Sequence, residues 1–311
     1  MKKKYLVTGA AGFIGSQIAN SLIKNGNLVW AIDNLSTGYE ANIPAGVVFI
    51  KGDCQDPASI SALKDTKYDA IFHIAGQSSG EISFDNPVYD LRTNTEATLL
   101  LLKHALRTGC NRFLYASSMS VYGSVEDKPI NEDHICQPLS FYGVGKLASE
   151  HYLRIYENYG VHSTALRLFN VYGPGQNMHN LRQGMVSIYL AYILGKGDLL
   201  VKGALDRFRD FIFIDDAVAA FMECLDNRNS FGKIYNVGTG RKTTINELIP
   251  LLLKSACINK KIVPQPGTPG DQKGIYADIS RIQKDIDFTA KITLEDGIAA
   301  MVNWAQKETN T

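Results

Sequence analysis

The sequence has no long hydrophobic run and no excess of charge of either sign. Among its 311 residues, 32 are Lys or Arg and 31 are Asp or Glu, which gives a net charge of +1. Without a surplus of positive charge, the chain lacks the electrostatic attraction by which nucleic acids and anionic membranes hold their binding proteins. No apolar stretch approaches the roughly 20 residues that a membrane-spanning helix needs. The sequence therefore predicts neither a nucleic-acid partner nor a membrane partner.

Cysteine is scarce as well. The sequence contains Cys54, Cys110, Cys136, Cys224 and Cys257, with no Cys-x-x-Cys pair among them. Disulfide frameworks and zinc sites depend on regular or close spacing of their ligands, which is missing here. Glycines at positions 9, 12 and 15 also interrupt the apolar stretch that a signal peptide would need. We therefore expect free thiols, no metal site and a cytoplasmic location.

Short β-branched runs alternate with helical patterns over about the first 170 residues. The strands are predicted at 4–8, 28–32, 47–51, 69–73, 112–117 and 162–168, and the helices at 13–25, 58–65, 92–108 and 141–159. Alternation at this period is typical of right-handed βαβ units, which build an α/β fold around a buried parallel sheet.

The pattern changes after residue 170, where Gly and Pro separate shorter apolar runs. Helices are predicted there at 184–194, 215–226, 244–256 and 294–305. This pattern predicts one domain over 1–170 and a smaller mixed α/β region over 171–311. A segment near 208–237 is expected to return to the first domain.

A glycine-rich loop joins the first strand to the first helix. Gly9, Gly12 and Gly15 have the spacing with which such loops hold the pyrophosphate of a dinucleotide at a helix N-terminus. The second strand is followed by Asp33, 18 residues after Gly15, where a carboxylate binds ribose hydroxyls and repels a 2′-phosphate. Asp53, after the third strand, is placed to meet an adenine edge. The pattern favours NAD over NADP, although glycines also occur in ordinary strand–helix turns.

Ser118, Tyr142 and Lys146 form the candidate catalytic group. Ser118 follows the end of a strand, where open α/β sheets bind ligands, and Tyr142 and Lys146 share one helix face because they are four residues apart. A free phenol has a pKa of about 10, so we expect Lys146 and a positive nicotinamide ring to lower it toward about 7. Ser118 is expected to hold the same substrate hydroxyl. A Tyr and a Lys at this spacing are also common on amphipathic helices, so the interpretation depends on the order of the motifs.

In this order, the motifs resemble those of the extended short-chain dehydrogenases/reductases, the family of nucleotide-sugar epimerases and dehydratases. They are most similar to its UDP-glucose 4-epimerase branch. The matching segments are 8–15, 32–38, 52–53, 72–76, 94, 117–123, 142–146, 167–176, 209–216, 235–240, 269–271 and 277–278. The resemblance implies a Rossmann-type doubly wound parallel sheet, NAD as cofactor and a nucleotide-sugar substrate bound mainly by 171–311.

The resemblance also implies roles for individual residues. The catalytic residues are Ser118, Tyr142 and Lys146. The cofactor contacts are Gly9, Gly12, Phe13, Ile14, Gly15, Asp33, Asn34, Ser36, Gly38, Asp53, Cys54, Ala75, Gly76, Gln77, Asn94, Tyr142 and Lys146. The substrate contacts are Ser118, Asn170, Arg209 and Asp271. A guanidinium suits the pyrophosphate because it binds phosphate oxygens in bidentate geometry, although Arg209 paired with Asp206 or Asp210 is the alternative.

Several reactions are open to this family. Acidic residues follow the catalytic Ser or Thr in its 4,6-dehydratases, and a cysteine in its NADPH-preferring epimerase/reductases, whereas here Met119 and Ser120 follow Ser118. We therefore expect a 4-epimerase, which oxidises the sugar at C4 and then returns the hydride. A nucleotide-sugar 4-dehydrogenase or 4,6-dehydratase is the alternative. A non-catalytic NAD-binding regulatory module is a remoter one, because it has no need of the Ser–Tyr–Lys group.

Two positions depart from the family pattern. Thr268 stands where an arginine is usual, which leaves the nucleotide base open and makes Lys273 a candidate substitute. Ile275 stands where a bulky aromatic gate is expected, which suggests a wider pocket for N-acetylated sugars. The segment 177–183, with His179 and Arg182, is a candidate for lining this pocket.

The helices predicted near 92–108 and 141–159 carry more apolar residues than one sheet face requires. They are Leu99, Leu100, Leu101, Leu102 and Leu106 in the first helix and Leu147, Tyr152, Leu153 and Tyr156 in the second. A helix that is apolar on more than one side must be buried on more than one side. The resemblance pairs these two helices with those of a second subunit, which predicts a homodimer. Coverage of the helices by residues 171–311 is the alternative.

Overall fold

A computed structural model describes residues 2–267 and 272–309. The strands in this part of the chain are β1 Lys4–Thr8, β2 Leu28–Asp33, β3 Val48–Lys51, β4 Ala70–His73, β5 Arg112–Ser118, β6 His162–Leu168, β7 Asn170–Tyr172, β8 Leu199–Lys202, β9 Phe208–Arg209, β10 Phe211–Phe213, β11 Lys233–Val237, β12 Thr243–Thr244 and β13 Ile262–Gln265. The α-helices are α1 Phe13–Lys24, α2 Pro57–Ser61, α3 Gly80–Asp85, α4 Pro87–Leu91, α5 Ala97–Thr108, α6 Phe141–Glu157, α7 Met185–Leu194, α8 Ile214–Asp226, α9 Ile245–Ala256, α10 Ser280–Ile286 and α11 Leu294–Thr309.

Seven parallel strands form the central sheet, in the order β11-β6-β5-β4-β1-β2-β3. From β1 the chain first adds β2 and β3 on one side, and then adds β4, β5, β6 and β11 on the other. The direction of winding therefore changes between β1 and β4. Thr8, at the end of β1, pairs with Ile32 on one side and His73 on the other. The residues that follow these strands therefore meet at one carboxyl edge, at the switch point where such sheets bind ligands. The predicted α/β doubly wound sheet is confirmed.

Both faces of the sheet are buried. Tyr5 and Val7 of β1 point into one hydrophobic cluster, together with Phe221 of α8, while Leu6 points into another, together with Leu101 of α5. Strands buried on both faces are typical of parallel sheets covered by helices. None of the helices in the described part of the chain is long and apolar enough to span a bilayer.

All six predicted strands are present, with ends shifted by at most one residue. The helix predicted over 92–108 is not α-helical throughout, because Arg92–Glu96 forms a π-helical turn ahead of α5. The predicted helix over 58–65 is shorter and spans Pro57–Ser61. The sequence pattern missed α3 and α4, which at six and five residues are too short to show a helical period.

The second half of the chain contributes to the central sheet through β11, which pairs with β6 along its whole length. The other strands after residue 169 form three two-stranded sheets, β7 with β10, β9 with β12 and β8 with β13. The domain boundary near residue 170 stays a prediction. Thr268 and Asp271 lie outside the described residues.

Candidate active site

The glycine loop packs directly against neighbouring backbone. A Cβ atom on Gly15 would lie 2.1 Å from the Gly9 carbonyl oxygen, and one on Gly38 would lie 2.5 Å from the Ala11 carbonyl carbon. Gly9 has a φ of +69°, in the left-handed region that favours glycine. Gly12 caps α1, and no side chain in the described part of the chain accepts a hydrogen bond from that helix start. The first-turn N–H groups thus form a close-fitting cradle for an anion.

Asp33 connects this loop to the end of β2. Its carboxylate accepts hydrogen bonds from the backbone N–H of Ala11 at 3.0 Å and of Leu35 at 2.8 Å. An ionised carboxylate has about four acceptor positions, so it can also accept from two ribose hydroxyls. The amide of Asn34 donates to Asp53 at 2.7 Å, which brings the ends of β2 and β3 together.

Other predicted cofactor residues lie along the same edge. Ser36 follows Asp33 in the turn, and its backbone N–H donates to the side chain of Asn34. Cys54 is buried beyond β3, and burial raises the pKa of its thiol, so it is neutral. Phe13 and Ile14, at the start of α1, face the cavity that holds the catalytic candidates.

Asn94 lies in the π-helical turn before α5 and is buried. Its amide Nδ2 donates to the carbonyl oxygen of Gln77 at 3.0 Å and to Asp90 at 3.2 Å. Its Oδ1 is buried and has no hydrogen-bond partner within the described residues. A buried acceptor without a partner is costly unless a ligand supplies a donor. Nearby, the backbone N–H of Ala75 donates to Thr8 and so fixes the segment that follows β4.

Ser118, Tyr142 and Lys146 line one cavity of about 230 Å³ at the carboxyl edge of the sheet. Ser140 begins α6 by accepting a hydrogen bond from the N–H of Gly143. The Lys146 ammonium nitrogen lies 5.7 Å from the centre of the Tyr142 ring. The structure thus brings together the three residues that the sequence singled out for catalysis.

Burial opposes the charged forms of both groups on α6. It raises the pKa of the Tyr142 phenol to about 12, against a hydrogen bond with Ser118 that lowers it. Burial also lowers the pKa of the Lys146 ammonium to about 8, while the carboxylates of Asp90 and Glu150 raise it. The ammonium alone does not make the phenol a base near neutrality, so the expected lowering of its pKa depends on the second charge, that of the nicotinamide ring.

A buried ion pair holds α6 against the sheet. Glu150 accepts hydrogen bonds from Arg167 at 2.7 and 2.9 Å and from the hydroxyl of Ser117 at 2.6 Å. One turn earlier, Lys146 donates to the carbonyl oxygen of Ala116 at 2.9 Å. Glu150 was not predicted from the sequence, although its spacing of four from Lys146 continues the face that begins at Tyr142.

A larger cavity of about 520 Å³ adjoins the catalytic one, and residues such as Ser120, Asn170 and Gln183 line both. Its charged lining residues are Glu81, Arg182, Lys202, Arg207 and Arg209. Arg209 donates to the carbonyl oxygens of Phe208 at 2.7 Å and Gln272 at 2.9 Å. These backbone contacts fix the guanidinium in the cavity wall.

Three ion pairs join α3 to the opposite wall of the larger cavity. Arg182 contacts Asp85 at 2.7 Å and Glu81 at 3.2 Å, and Lys202 contacts Glu81 at 3.3 Å. Arg182 lines the larger cavity, as expected, whereas His179 is not among the described residues that line it.

The expectation that Ile275 widens the substrate pocket is wrong. Ile275 is fully buried in a cluster with Val121, Tyr122 and Phe169, and neither cavity includes it among the described lining residues. Its side chain therefore does not set the width of the pocket. Lys273 is exposed, and its carbonyl oxygen accepts a hydrogen bond from Arg209 at 3.4 Å.

The doubly wound sheet, the glycine cradle and the buried Ser–Tyr–Lys group together define a short-chain dehydrogenase/reductase of the extended type. Residues 5–238 match the NAD-dependent epimerase/dehydratase family. The chain belongs to this family, whose members are enzymes with NAD as cofactor.

Two of the compared proteins are UDP-glucose 4-epimerases. The one from Mycolicibacterium smegmatis is 33% identical, over 96% of this chain and 97% of its own. A crystal structure of the Thermotoga maritima enzyme with UDP-glucose has a TM-score of 0.94 and 32% identity, over 98% of this chain and 99% of that one. The UDP-glucuronic acid 4-epimerase of Bacillus cereus, solved with UDP-glucuronic acid and NAD, has a TM-score of 0.90 and 28% identity, over 98% and 99%.

Replacement of Glu150 by Ala is expected to lower the free energy of unfolding by about 3–5 kcal/mol, because it leaves the Arg167 guanidinium buried and unpaired. Urea denaturation measures the loss. The control is Asp226→Ala, which breaks an exposed pair with Lys3 and is expected to cost about 0–1 kcal/mol. Equal losses in the two variants would contradict the structural role of the buried pair.

Proposed function

We propose that this protein is an NAD-dependent nucleotide-sugar 4-epimerase that acts on UDP-glucose and UDP-galactose or their N-acetyl counterparts. One observation carries the choice of reaction: among the described residues that line the catalytic cavity there is no Asp, Glu, His or Cys. A 4,6-dehydratase must also remove a proton from C5 and protonate the departing C6 hydroxyl, which requires further acid–base groups. Epimerisation at C4 returns the proton to the oxygen it came from, so Tyr142 is sufficient.

The glycine cradle, Asp33 and the unpartnered oxygen of Asn94 support the proposal that NAD occupies this edge of the sheet. When bound, NAD would supply the acceptor for the C4 hydride and, once reduced, the hydride donor for the other face of the resulting 4-keto sugar. The anion cradle suits the pyrophosphate, and the Asp33 carboxylate suits an unphosphorylated ribose.

The chain's own residues handle the proton. Tyr142 accepts the proton of the sugar O4 hydroxyl and later gives it back, while Ser118 holds the same oxygen by a hydrogen bond. Lys146 contributes a positive charge 5.7 Å from the phenol ring. Because both groups are buried, their electrostatic interaction is stronger than it is in water.

The larger cavity is the proposed site of the nucleoside diphosphate. Asn170 and Arg209 face it, and a guanidinium suits phosphate oxygens. Arg182 and Lys202 are neutralised by carboxylates of α3, so their charge is not directed at the sugar. From the pairing of these two side chains we infer a neutral hexose rather than a uronic acid, because neither cation is left to bind a sugar carboxylate.

We also propose a homodimer built from α5 and α6. Leu101, Leu102 and Leu153 are buried in the subunit's own core, which corrects their assignment to an interface. Leu106 and Ile155, in contrast, are 44% and 47% exposed. A second copy of these helices would remove this apolar surface from water.

The proposed compartment is the cytoplasm. It is supported by the five cysteines, which are all free and of which three are buried.

The reaction is tested by incubating the purified protein with UDP-, GDP-, CDP- and dTDP-sugars and resolving the products by NMR. We expect UDP-glucose and UDP-galactose to interconvert with no net rise in absorbance at 340 nm, because the hydride is returned. UDP-glucuronic acid is expected to react more slowly. A released 4-keto product with accumulating NADH would identify a 4-dehydrogenase, and a 6-deoxy-4-keto product would identify a dehydratase.

Tyr142→Phe is expected to lower kcat by about 10²–10⁴-fold, the usual contribution of a positioned acid–base group. Tyr122→Phe is the matched control. Its hydroxyl is buried and donates to Asn236 at 2.6 Å, away from the catalytic group, so this variant is expected to keep its turnover. Initial rates under saturating substrate measure both. Wild-type kcat in Tyr142→Phe would remove the phenol from the mechanism.

Sedimentation velocity at micromolar concentration is expected to show a dimer. Leu106→Glu with Ile155→Glu is expected to give a monomer, because two carboxylates would be buried in the interface. Val48→Glu, at an equally exposed valine on the edge strand β3, is the control and is expected to remain dimeric. A monomeric wild-type protein would contradict the interface.

A further inference from the structure

Asp90 is a buried carboxylate that the proposed mechanism does not use. It lies on α4 and is 1% exposed. Its Oδ1 accepts hydrogen bonds from the side-chain amides of Gln77 at 2.8 Å and Asn94 at 3.2 Å. Its Oδ2 is buried, with no hydrogen-bond partner in the described part of the chain. A carboxylate in this environment is costly, so its presence at the site needs a physical reason.

The first consequence of Asp90 is the orientation of Asn94. An ionised carboxylate and a carbonyl oxygen only accept hydrogen bonds, so Asp90 and the Gln77 carbonyl together turn the Nδ2 of Asn94 toward themselves and its Oδ1 away. A Cβ atom on Gly76 would lie 2.5 Å from this Oδ1 and 3.3 Å from the Lys146 ammonium nitrogen. The amide oxygen and the ammonium therefore flank the same point of the backbone. A reversed amide would present its N–H groups there instead.

The second consequence concerns charge. Lys146 is 4% exposed, and a buried ammonium requires a counter-charge. The carboxylates that act on it are Asp90 from α4 and Glu150 from α6, and Glu150 is already paired with Arg167.

The other titratable groups around Lys146 are uncharged. Burial lowers the pKa of His73 on β4 to about 3, so its ring is neutral. Burial raises the pKa of the Tyr115 phenol on β5, whose ring lies 4.9 Å from the Lys146 nitrogen. Burial likewise raises the pKa of Tyr142 on α6 to about 12.

We propose that Asp90 is a positioning residue, whose carboxylate turns the Asn94 amide oxygen toward the active site and provides the counter-charge for the Lys146 ammonium. This inference rests on the proposed function, in which Asn94 and Lys146 hold the cofactor. Asp90 itself touches neither the substrate nor the reacting atoms.

The test replaces Asp90 by Asn, which keeps the shape and removes the charge. The purified protein is treated with cyanate, a three-atom reagent that carbamylates only the neutral amine, and modification of Lys146 is followed by mass spectrometry over a range of pH. The pH midpoint of Lys146 carbamylation is expected to fall by about one unit, because the ammonium has lost its counter-charge. Asp90→Ser, a smaller neutral variant, gives the same measurement if Asp90→Asn does not fold.

The pH profile of kcat gives a second readout. Asp90 raises the pKa of both Tyr142 and Lys146, so its neutralisation lowers both. The acid limb, where Tyr142 loses its proton, and the alkaline limb, where Lys146 loses its charge, are therefore expected to shift together toward lower pH. Asp90→Glu keeps the charge and is expected to retain more of the wild-type profile than Asp90→Asn.

Asp216→Asn is the matched control. Asp216 lies on α8 and is also buried, at 4% exposure, and it accepts hydrogen bonds from the backbone N–H groups of Lys291 and Ile292. The replacement Asp216→Asn is expected to lower the free energy of unfolding without moving the pH midpoint of Lys146 carbamylation. A wild-type midpoint in Asp90→Asn, with only a loss of stability, would overturn the proposal. Because the midpoint is measured without substrate, failure of the 4-epimerase assignment would be seen separately, in the sugar panel.

Discussion

The packing of one helix against one strand controls the geometry of the site. Lys146 and Glu150, one turn apart on α6, bond to the consecutive β5 residues Ala116 and Ser117, and the next residue is Ser118. These contacts are buried, so no water can replace them when they break. Ser118 and the Tyr142 phenol therefore cannot separate without the loss of several hydrogen bonds. Since an acid–base group must lie within hydrogen-bond reach of its proton, this packing is the condition for the proposed chemistry.

The burial that fixes this geometry also opposes the ionisation of the two side chains on α6. It raises the pKa of Tyr142 to about 12 and lowers that of Lys146 to about 8, so it favours the neutral forms of both. The carboxylates of Asp90 and Glu150 counteract this effect for the ammonium, whereas that of Asp90 increases it for the phenol. Such a phenol becomes a base only when further positive charge enters the cavity. In the proposed mechanism, proton transfer is thereby tied to the occupied state of the site.

The residues predicted from the sequence are those whose function depends on local backbone geometry. The glycine loop, Asp33 and Tyr142 each follow a strand or open a helix, so spacing along the chain places them. Asp90 and Glu150 were missed because their partners lie on other elements, 13 and 17 residues away for Gln77 and Arg167. Ile275 shows the opposite failure, since the resemblance gave its position but not the direction of its side chain, which points into a hydrophobic cluster.

Charge is divided unevenly between the two joined cavities, and this division suits epimerisation. The larger cavity is lined by Arg182, Arg207 and Arg209 among other ionisable side chains, whereas the described lining of the catalytic cavity has only Tyr142 and Lys146. In the proposed complex, the guanidinium contacts of the larger cavity place binding energy on the diphosphate, away from the reacting carbon. A 4-keto sugar must present first one face and then the other to the same hydride donor. Strong contacts to the ring would favour one face, whereas a firm hold on the nucleotide retains the intermediate and leaves the ring free to turn.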